Sequence, residues 1–298
     1  IAIIPYTISV IPSVVLAKKK KAKLWIHIQD FEFDLALDAG VLKKGGFFSN
    51  IFRKSVFLLE KSLLNRANIV SSISFNMLEK IKIKSNRENL FYFPNWVSSE
   101  KINPNIFSQH EFINKDKFTL LYSGNIGEKQ DWEFLKNLCS KILNNDNIEI
   151  VIVGDGSYKK KLYDDLKKFD FVKFYDPVAF EDLNNLLCSA NLHFLFQKAE
   201  VIDTIMPSKI LGMMASERPS IITGNKASEV LKIIDDSNGG AFFYNNSVDD
   251  VYNEILRLQN DSEYCKKIGI NARKFILTKF SEEKRIKEIF SKINIELS

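Results

Sequence analysis

Three segments carry residue types able to hold a phosphorylated ligand. In LLYSGNIGEKQDWEFL, Gly124 and Gly127 flank Asn125 in a loop whose backbone N–H groups can come close to an anion. Lys129 adds a cation just ahead of a helix whose positive end faces the same ligand. Such a loop suits a phosphate or a diphosphate. It matches neither G-x-x-x-x-G-K-[ST] nor G-x-G-x-x-G, and a glycine turn beside a solvated lysine would contain the same residues. In IEIVIVGDGSYKKKL, a β-branched run ends in Gly154, Asp155 and Gly156, with Ser157 placed to cap the next helix. The glycine pair lets a nucleotide approach a strand end, although G-D-G alone is a common turn. In FQKAEVIDTIMPSKILGMMAS, Pro207 fits a first helical turn, and Ser208 and Lys209 lie where free N–H groups and a cation hold phosphate. Glu200 and Asp203 in the loop before it can accept hydrogen bonds from sugar hydroxyls, whereas the plainer reading is a capped helix with solvated charges.

These segments need rigid elements behind them, and the pattern of the chain supplies them. The 298 residues are enough for about two domains, and a hydrophobic share of 45% with 27% charged residues excludes disorder and fibrous repeats. Short apolar runs alternate with longer amphipathic stretches, the βαβα pattern of parallel sheets covered by helices. In the first part, strands are expected at 1–4, 24–28, 68–73 and 90–93, with helices ending at 18–21 and over 47–65 and 75–83. A polar, asparagine-rich stretch containing Pro104 then carries no sustained period and reads as a linker. A second series follows, with strands at 118–122, 148–153, 172–175, 192–196, 220–223 and 241–244. Helices are expected between them near 131–143, 157–169, 180–189, 208–215 and 227–235, and three more over 248–259, 262–278 and 281–293. Two doubly wound domains of this kind place their strand carboxyl ends around a common cleft, where ligands of such folds bind.

Several classes of function fall away. A net charge of +5 permits a polyanionic partner without requiring one, and no basic stripe interleaved with stacking aromatics argues for nucleic acid. Cys139, Cys188 and Cys265 are odd in number and far apart, reading as free thiols, and His27, His110 and His193 come from unrelated segments, so no metal site is expected. His27 lies in the apolar run WIHI and reads as a core histidine, while Asp30 at the end of that run is the better acceptor-side candidate. The opening run is apolar and then basic. Pro5 and Pro12 interrupt it, the lysines follow the apolar part, and it is shorter than the ~20 residues that span a bilayer. The lysines at 18–21, with Lys43 and Lys44, suit an anionic lipid surface as well as they suit a solvated helix end.

SGNIGEKQ, VGDGS and MPSKILGMMAS, in that order after a linker, resemble the donor-binding domain of family 4 retaining glycosyltransferases with the GT-B fold. WIHIQDFEFDLALDAG followed by FPNWV resembles, within that family, the transferases of colanic acid, capsule and O-antigen biosynthesis. The resemblance implies an α/β protein of two Rossmann-like doubly wound domains facing a cleft. Residues 1–102 would be an incomplete acceptor-binding domain, 103–117 a linker, 118–280 the nucleotide-sugar domain and 281–298 a carboxyl-terminal helix. A glycine-rich acceptor loop would precede residue 1, so the chain reads as amino-terminally truncated.

The implied activity is metal-independent hexosyl transfer without a cofactor, from a UDP- or GDP-sugar to a saccharide or polyprenyl-diphosphate-linked acceptor. It would take place in the cytoplasm or peripherally on the inner membrane face. In that scheme Lys129 and Lys209 meet the donor diphosphate, with Gly124, Asn125, Gly127, Pro207 and Ser208 beside it. Gly154, Asp155 and Gly156, with the stretch from Asp176 to Val178, flank the base and ribose. Glu200 falls near the first glutamate of the family's E-x7-E element, and Gly212 stands where the second is expected. Asn125 replaces a common arginine, and Gln29 precedes Asp30 where many relatives read His-Asp. Two rival readings share the cleft: a nucleotide-sugar epimerase and a non-catalytic nucleotide-sugar-binding subunit.

Overall fold

The computed structural model describes residues 1–4, 7–29, 47–200, 208–245 and 247–297, which form two compact units. Unit 1 comprises residues 1–95 and 285–298, and unit 2 residues 96–284. In unit 1 the order is β1 (Ala2–Ile4), α1 (Thr7–Lys20), β2 (Trp25–Ile28), α2 (Phe47–Asn65), β3 (Ile69–Ser72), α3 (Phe75–Ser85) and β4 (Phe91–Tyr92). The four strands pair in the order β1-β2-β3-β4, all parallel. Every residue of β2 and β3 is buried, which is why these strands read as unbroken runs instead of alternating ones. Ser74 caps α3 by accepting from Met77 N at 3.0 Å, and Asn86 ends it in the left-handed conformation at φ 57°.

Unit 2 holds β5 (Phe118–Ser123), α4 (Trp132–Ile142), β6 (Ile148–Val153), α5 (Lys159–Leu166), β7 (Val172–Tyr175), a 3₁₀ turn (Phe180–Asp182), α6 (Leu183–Ser189), β8 (Leu192–Phe196), α7 (Lys209–Ala215), β9 (Ser220–Thr223), α8 (Glu229–Ser237), β10 (Gly240–Phe243), α9 (Val248–Asn260) and α10 (Ser262–Phe280). The six strands are parallel in the order β10-β9-β8-β5-β6-β7. The chain therefore winds outward from β5 to β7, then returns beside β5 and winds the other way. With right-handed crossovers this places helices on both faces, so the domain is doubly wound. Its core is one cluster built on the sheet, with Leu120, Ile150, Val151 and Leu195 at or below 1% exposure. On α4 the buried residues Trp132, Leu135, Leu138, Cys139 and Ile142 recur at helical spacing.

The boundaries differ from the sequence reading in three places. Residues 103–117, expected as a linker, lie along unit 2. Asn184 Oδ1 accepts from Asn103 N at 2.7 Å, Asn185 Oδ1 from Ser108 N at 2.9 Å, and Ser189 Oγ from His110 N at 2.9 Å. The asparagines of α6 thus satisfy the backbone of a segment with no ladder of its own. Residues 96–102 likewise group with unit 2, where Val97 pairs with Ser281. The last helix, α11 (Glu282–Leu297), enters unit 1 from Arg285 onward, because Ile289 and Ile293 pack against the Trp25, Ile69 and Phe93 cluster.

Two buried histidines each hydrogen-bond a buried serine hydroxyl. The Ser71 hydroxyl accepts from Trp25 Nε1 at 2.7 Å and shares a hydrogen bond with His27 Nδ1 at 2.9 Å. The Ser216 hydroxyl gives its proton to Met213 O at 2.7 Å, and so accepts from His193 Nε2 at 2.9 Å. Burial lowers His27 to about 4 and His193 to about 3. Each stays neutral when folded but charges near pH 6.5 when unfolded, so the unfolded chain binds more protons below pH 6.5 and stability falls as pH falls. Between pH 7 and 5 each histidine is expected to cost about 2 kcal/mol. Urea unfolding at the two pH values should show the loss, and His27→Gln and His193→Gln should each remove their share of the slope.

Candidate functional site

The loop from β5 to α4 crosses the carboxyl end of the sheet at its switch point. Its first half is tied to β6, with Gly124 N donating to Val153 O at 2.9 Å and Ile126 N to Asp155 O at 2.8 Å. Its second half is tied to β8, with Asp131 N donating to Phe196 O at 2.9 Å and Lys198 N to Lys129 O at 3.1 Å. Gln130 and Gln197 form an antiparallel bridge between these two. The crossing is made possible by glycine. A Cβ on Gly154 would lie 2.0 Å from Gly124 O, and one on Gly156 would lie 2.4 Å from Ile126 O.

Lys209, the first residue of α7, reaches this loop. A Cβ on Gly124 would meet its ammonium at 3.0 Å, and its Nζ donates to the Tyr122 hydroxyl at 2.8 Å. Tyr122 in turn donates to Asn125 O. Burial raises the phenol well above its ordinary pKa, so it stays protonated. The structure therefore brings Gly124, Asn125, Gly154, Gly156 and Lys209 together at the β5 and β6 ends. Lys129 is exposed at the far end of the same loop, with no hydrogen-bond or ion-pair partner for its ammonium among the described residues. Glu200 and Ser208 are exposed, and no described contact joins either to Lys209. Asp30 and Pro207, with Asp203, lie outside the described residues.

Three local expectations change. The N–H groups of Gly124 and Gly127 do not form an open cradle, since they donate to Val153 O and to Gln130 Oε1. The start of α4 is already capped, because Asp131 Oδ1 accepts from Phe134 N at 3.0 Å. Ser157 does not cap α5, which begins at Lys159 after Tyr158 N has turned to Ile126 O. Asp155 uses a carboxylate oxygen on Gly156 N at 2.8 Å, and Asp176 pairs with Lys159 at 2.5 Å. Positive charge at this end of the sheet comes from lysine side chains. Sequence reasoning missed Tyr122 and Gln130; a tyrosine inside the buried run LLYS needs a polar partner, and that was the available signal.

Residues 104–275 match the family of glycosyl transferases group 1, more than half of the chain. The chain belongs to that family. A relative from Escherichia coli K12, named as the colanic acid biosynthesis glycosyl transferase WcaI, is 29% identical over 224 residues, covering 72% of this chain and 54% of that protein. A glycosyltransferase named WbjE, from Pseudomonas aeruginosa, is 23% identical over 214 residues, covering 68% and 51%. The chain thus spans about half the length of the curated relatives it matches. Among solved structures, Anabaena HepE in complex with UDP-glucose aligns at TM-score 0.73 and 15% identity, over 97% of this chain and 76% of that one. WaaG, a glycosyltransferase involved in lipopolysaccharide biosynthesis, aligns at 0.63 and 14%, over 89% and 73%. The group 1 member therefore has the two Rossmann-like domains of the GT-B fold.

In this group 1 chain Gly212 sits in α7 with Leu187 Cδ1 only 3.2 Å from where its Cβ would be. The position expected to hold a carboxylate is used for close packing of α7 on α6. Gly154→Ala should force the β6 end away from Gly124 and destabilise unit 2 by about 1–3 kcal/mol, as overpacking does. Gly127→Ala, whose new Cβ would meet side-chain atoms of Asn125 and Gln130, should cost clearly less. Urea unfolding of the two variants measures the difference.

Proposed function

We propose that the chain carries the donor site of a retaining glycosyltransferase. In this reading it moves a sugar from a nucleoside-diphosphate sugar to a saccharide acceptor on a polyprenyl diphosphate, in assembly of a bacterial surface polysaccharide. The observation that carries this reading is the Lys209 ammonium held against Gly124 at the switch point of the sheet, where doubly wound folds bind ligands. As the anomeric carbon–oxygen bond to phosphate breaks, negative charge grows on the diphosphate, and fixed cations there lower the barrier. Lys209 supplies one, and Lys129, exposed and unpaired among the described residues, supplies the second by folding over the bound donor. The acceptor oxygen bonds the anomeric carbon on the face the diphosphate leaves. The proton of that hydroxyl passes to the departing phosphate oxygen, so configuration is retained without a covalent enzyme intermediate.

Asp30 is assigned to the acceptor side and Glu200 to sugar hydroxyls. A lipid-borne acceptor fits the distribution of charge. Unit 1 has 18 lysines and arginines against nine acidic residues, a surplus of nine, whereas unit 2 has 24 against 28. Val15 and Leu16 on α1 are exposed beside Lys18, Lys19 and Lys20, a composition suited to an anionic lipid surface. No helix among the described residues is long and apolar enough to cross a membrane.

Thermal-shift titration with UDP, GDP, ADP and their sugar conjugates tests the reading, because a ligand of the native state stabilises by about 2.7 kcal/mol at a hundred times its Kd. A rise selective for one diphosphate is expected, and no rise with any on the folded chain rejects the donor site. Lys129→Met and Lys209→Met should each cut transfer by about 10²–10³-fold with the fold intact.

A further inference from the structure

We propose that Tyr122 is the positioning residue for the Lys209 ammonium, so that the end of β5, and not α7 alone, sets where the donor diphosphate is held. This rests on the donor-site reading given above. Tyr122 is 1% exposed, with its ring edge-on to Trp132 at 5.0 Å and 75° and tilted against Phe194 at 5.7 Å. That packing leaves the ring one place to be. Its hydroxyl has a single proton, which goes to Asn125 O, so towards Lys209 it can only accept. The ammonium lies 2.8 Å from the oxygen and 4.3 Å from the ring centroid, held by a lone pair and by the π face together.

A lysine stem has high rotamer entropy, so an unrestrained ammonium would lose freedom on each binding event. Tyr122 removes that loss in advance. Burial keeps the phenol protonated, so the oxygen it presents to the ammonium is neutral and does not itself offset the positive charge. A carboxylate in the same place would have formed an ion pair and offset it.

Tyr122→Phe keeps the ring and deletes the oxygen. A brief acetic anhydride pulse read by mass spectrometry, with Lys129 as internal reference, reports how firmly Lys209 is held without any ligand. Lys209 should acetylate several-fold faster in Tyr122→Phe, at an unfolding temperature close to that of the unaltered chain. Calorimetry with UDP and GDP should show binding weakened about ten-fold in Tyr122→Phe, the scale of one hydrogen bond to a charged group. Tyr122→Phe combined with Lys209→Met should bind no more weakly than Lys209→Met alone. Unchanged acetylation, or losses that multiply in the double variant, would overturn the proposal. Faster acetylation with no nucleoside diphosphate bound by the unaltered chain would support the Tyr122 contact and overturn the donor-site reading instead.

Discussion

The closeness of two backbones at the carboxyl end of β5 and β6 is the constraint from which the rest of the site follows. Gly124 O occupies the space a side chain on Gly154 would need, and Ile126 O the space one on Gly156 would need. Because both are glycine, the β5 to α4 loop can lie flat over β6 before turning back to β8. That path places Asn125 O above Tyr122, aligns the Tyr122 hydroxyl, and so places the Lys209 ammonium against Gly124. Glycine's freedom of φ matters here as well, since Gly124 sits at φ 139° and Gly156 at φ 153°.

The same constraint takes several N–H groups of the loop out of use. Lying so close to its neighbours, the loop gives the N–H groups of Gly124, Ile126 and Gly127 to Val153 O, Asp155 O and Gln130 Oε1. The start of α4, another source of positive potential, is offset by Asp131. In the proposed donor site, lysine ammonium groups then carry the electrostatics, which makes their placement a matter of packing and neutral hydrogen bonding. A flexible cation is useful at a site where charge develops only in the transition state, provided something rigid holds it there.

Much of this was legible in the residues. The strands at 148–153, 172–175, 192–196 and 220–223 and the helix at 47–65 stand where the apolar runs and periodicity put them, because parallel strands buried on both faces leave an unambiguous signature. The glycines and Lys209 were also readable as a group. What the residues did not reveal was where each backbone N–H goes, since that depends on register between strands far apart in the chain. Ser157 illustrates the point: it has the right type for a cap, yet α5 begins two residues later and Lys159 N–H, a donor such a cap would take, goes to Gly156 O. The segment at 103–117 is polar for a similar reason. Its composition resembles a linker, but its backbone N–H groups are taken by the asparagine and serine side chains of α6, and only the fold shows the partners.

Gly212 links the packing of α7 to its charge. The position lies three residues beyond Lys209, one turn along the same side of the helix, where a glutamate would face the lysine as an ion-pair partner. Such a pair would draw the ammonium along α7. Glycine instead lets α7 close on Leu187 and leaves the lysine to reach across to β5. The missing carboxylate and the tyrosine contact are therefore two sides of one arrangement. Where a side chain on the helix would hold the cation from below, here the strand holds it from beside, through an oxygen that carries no charge.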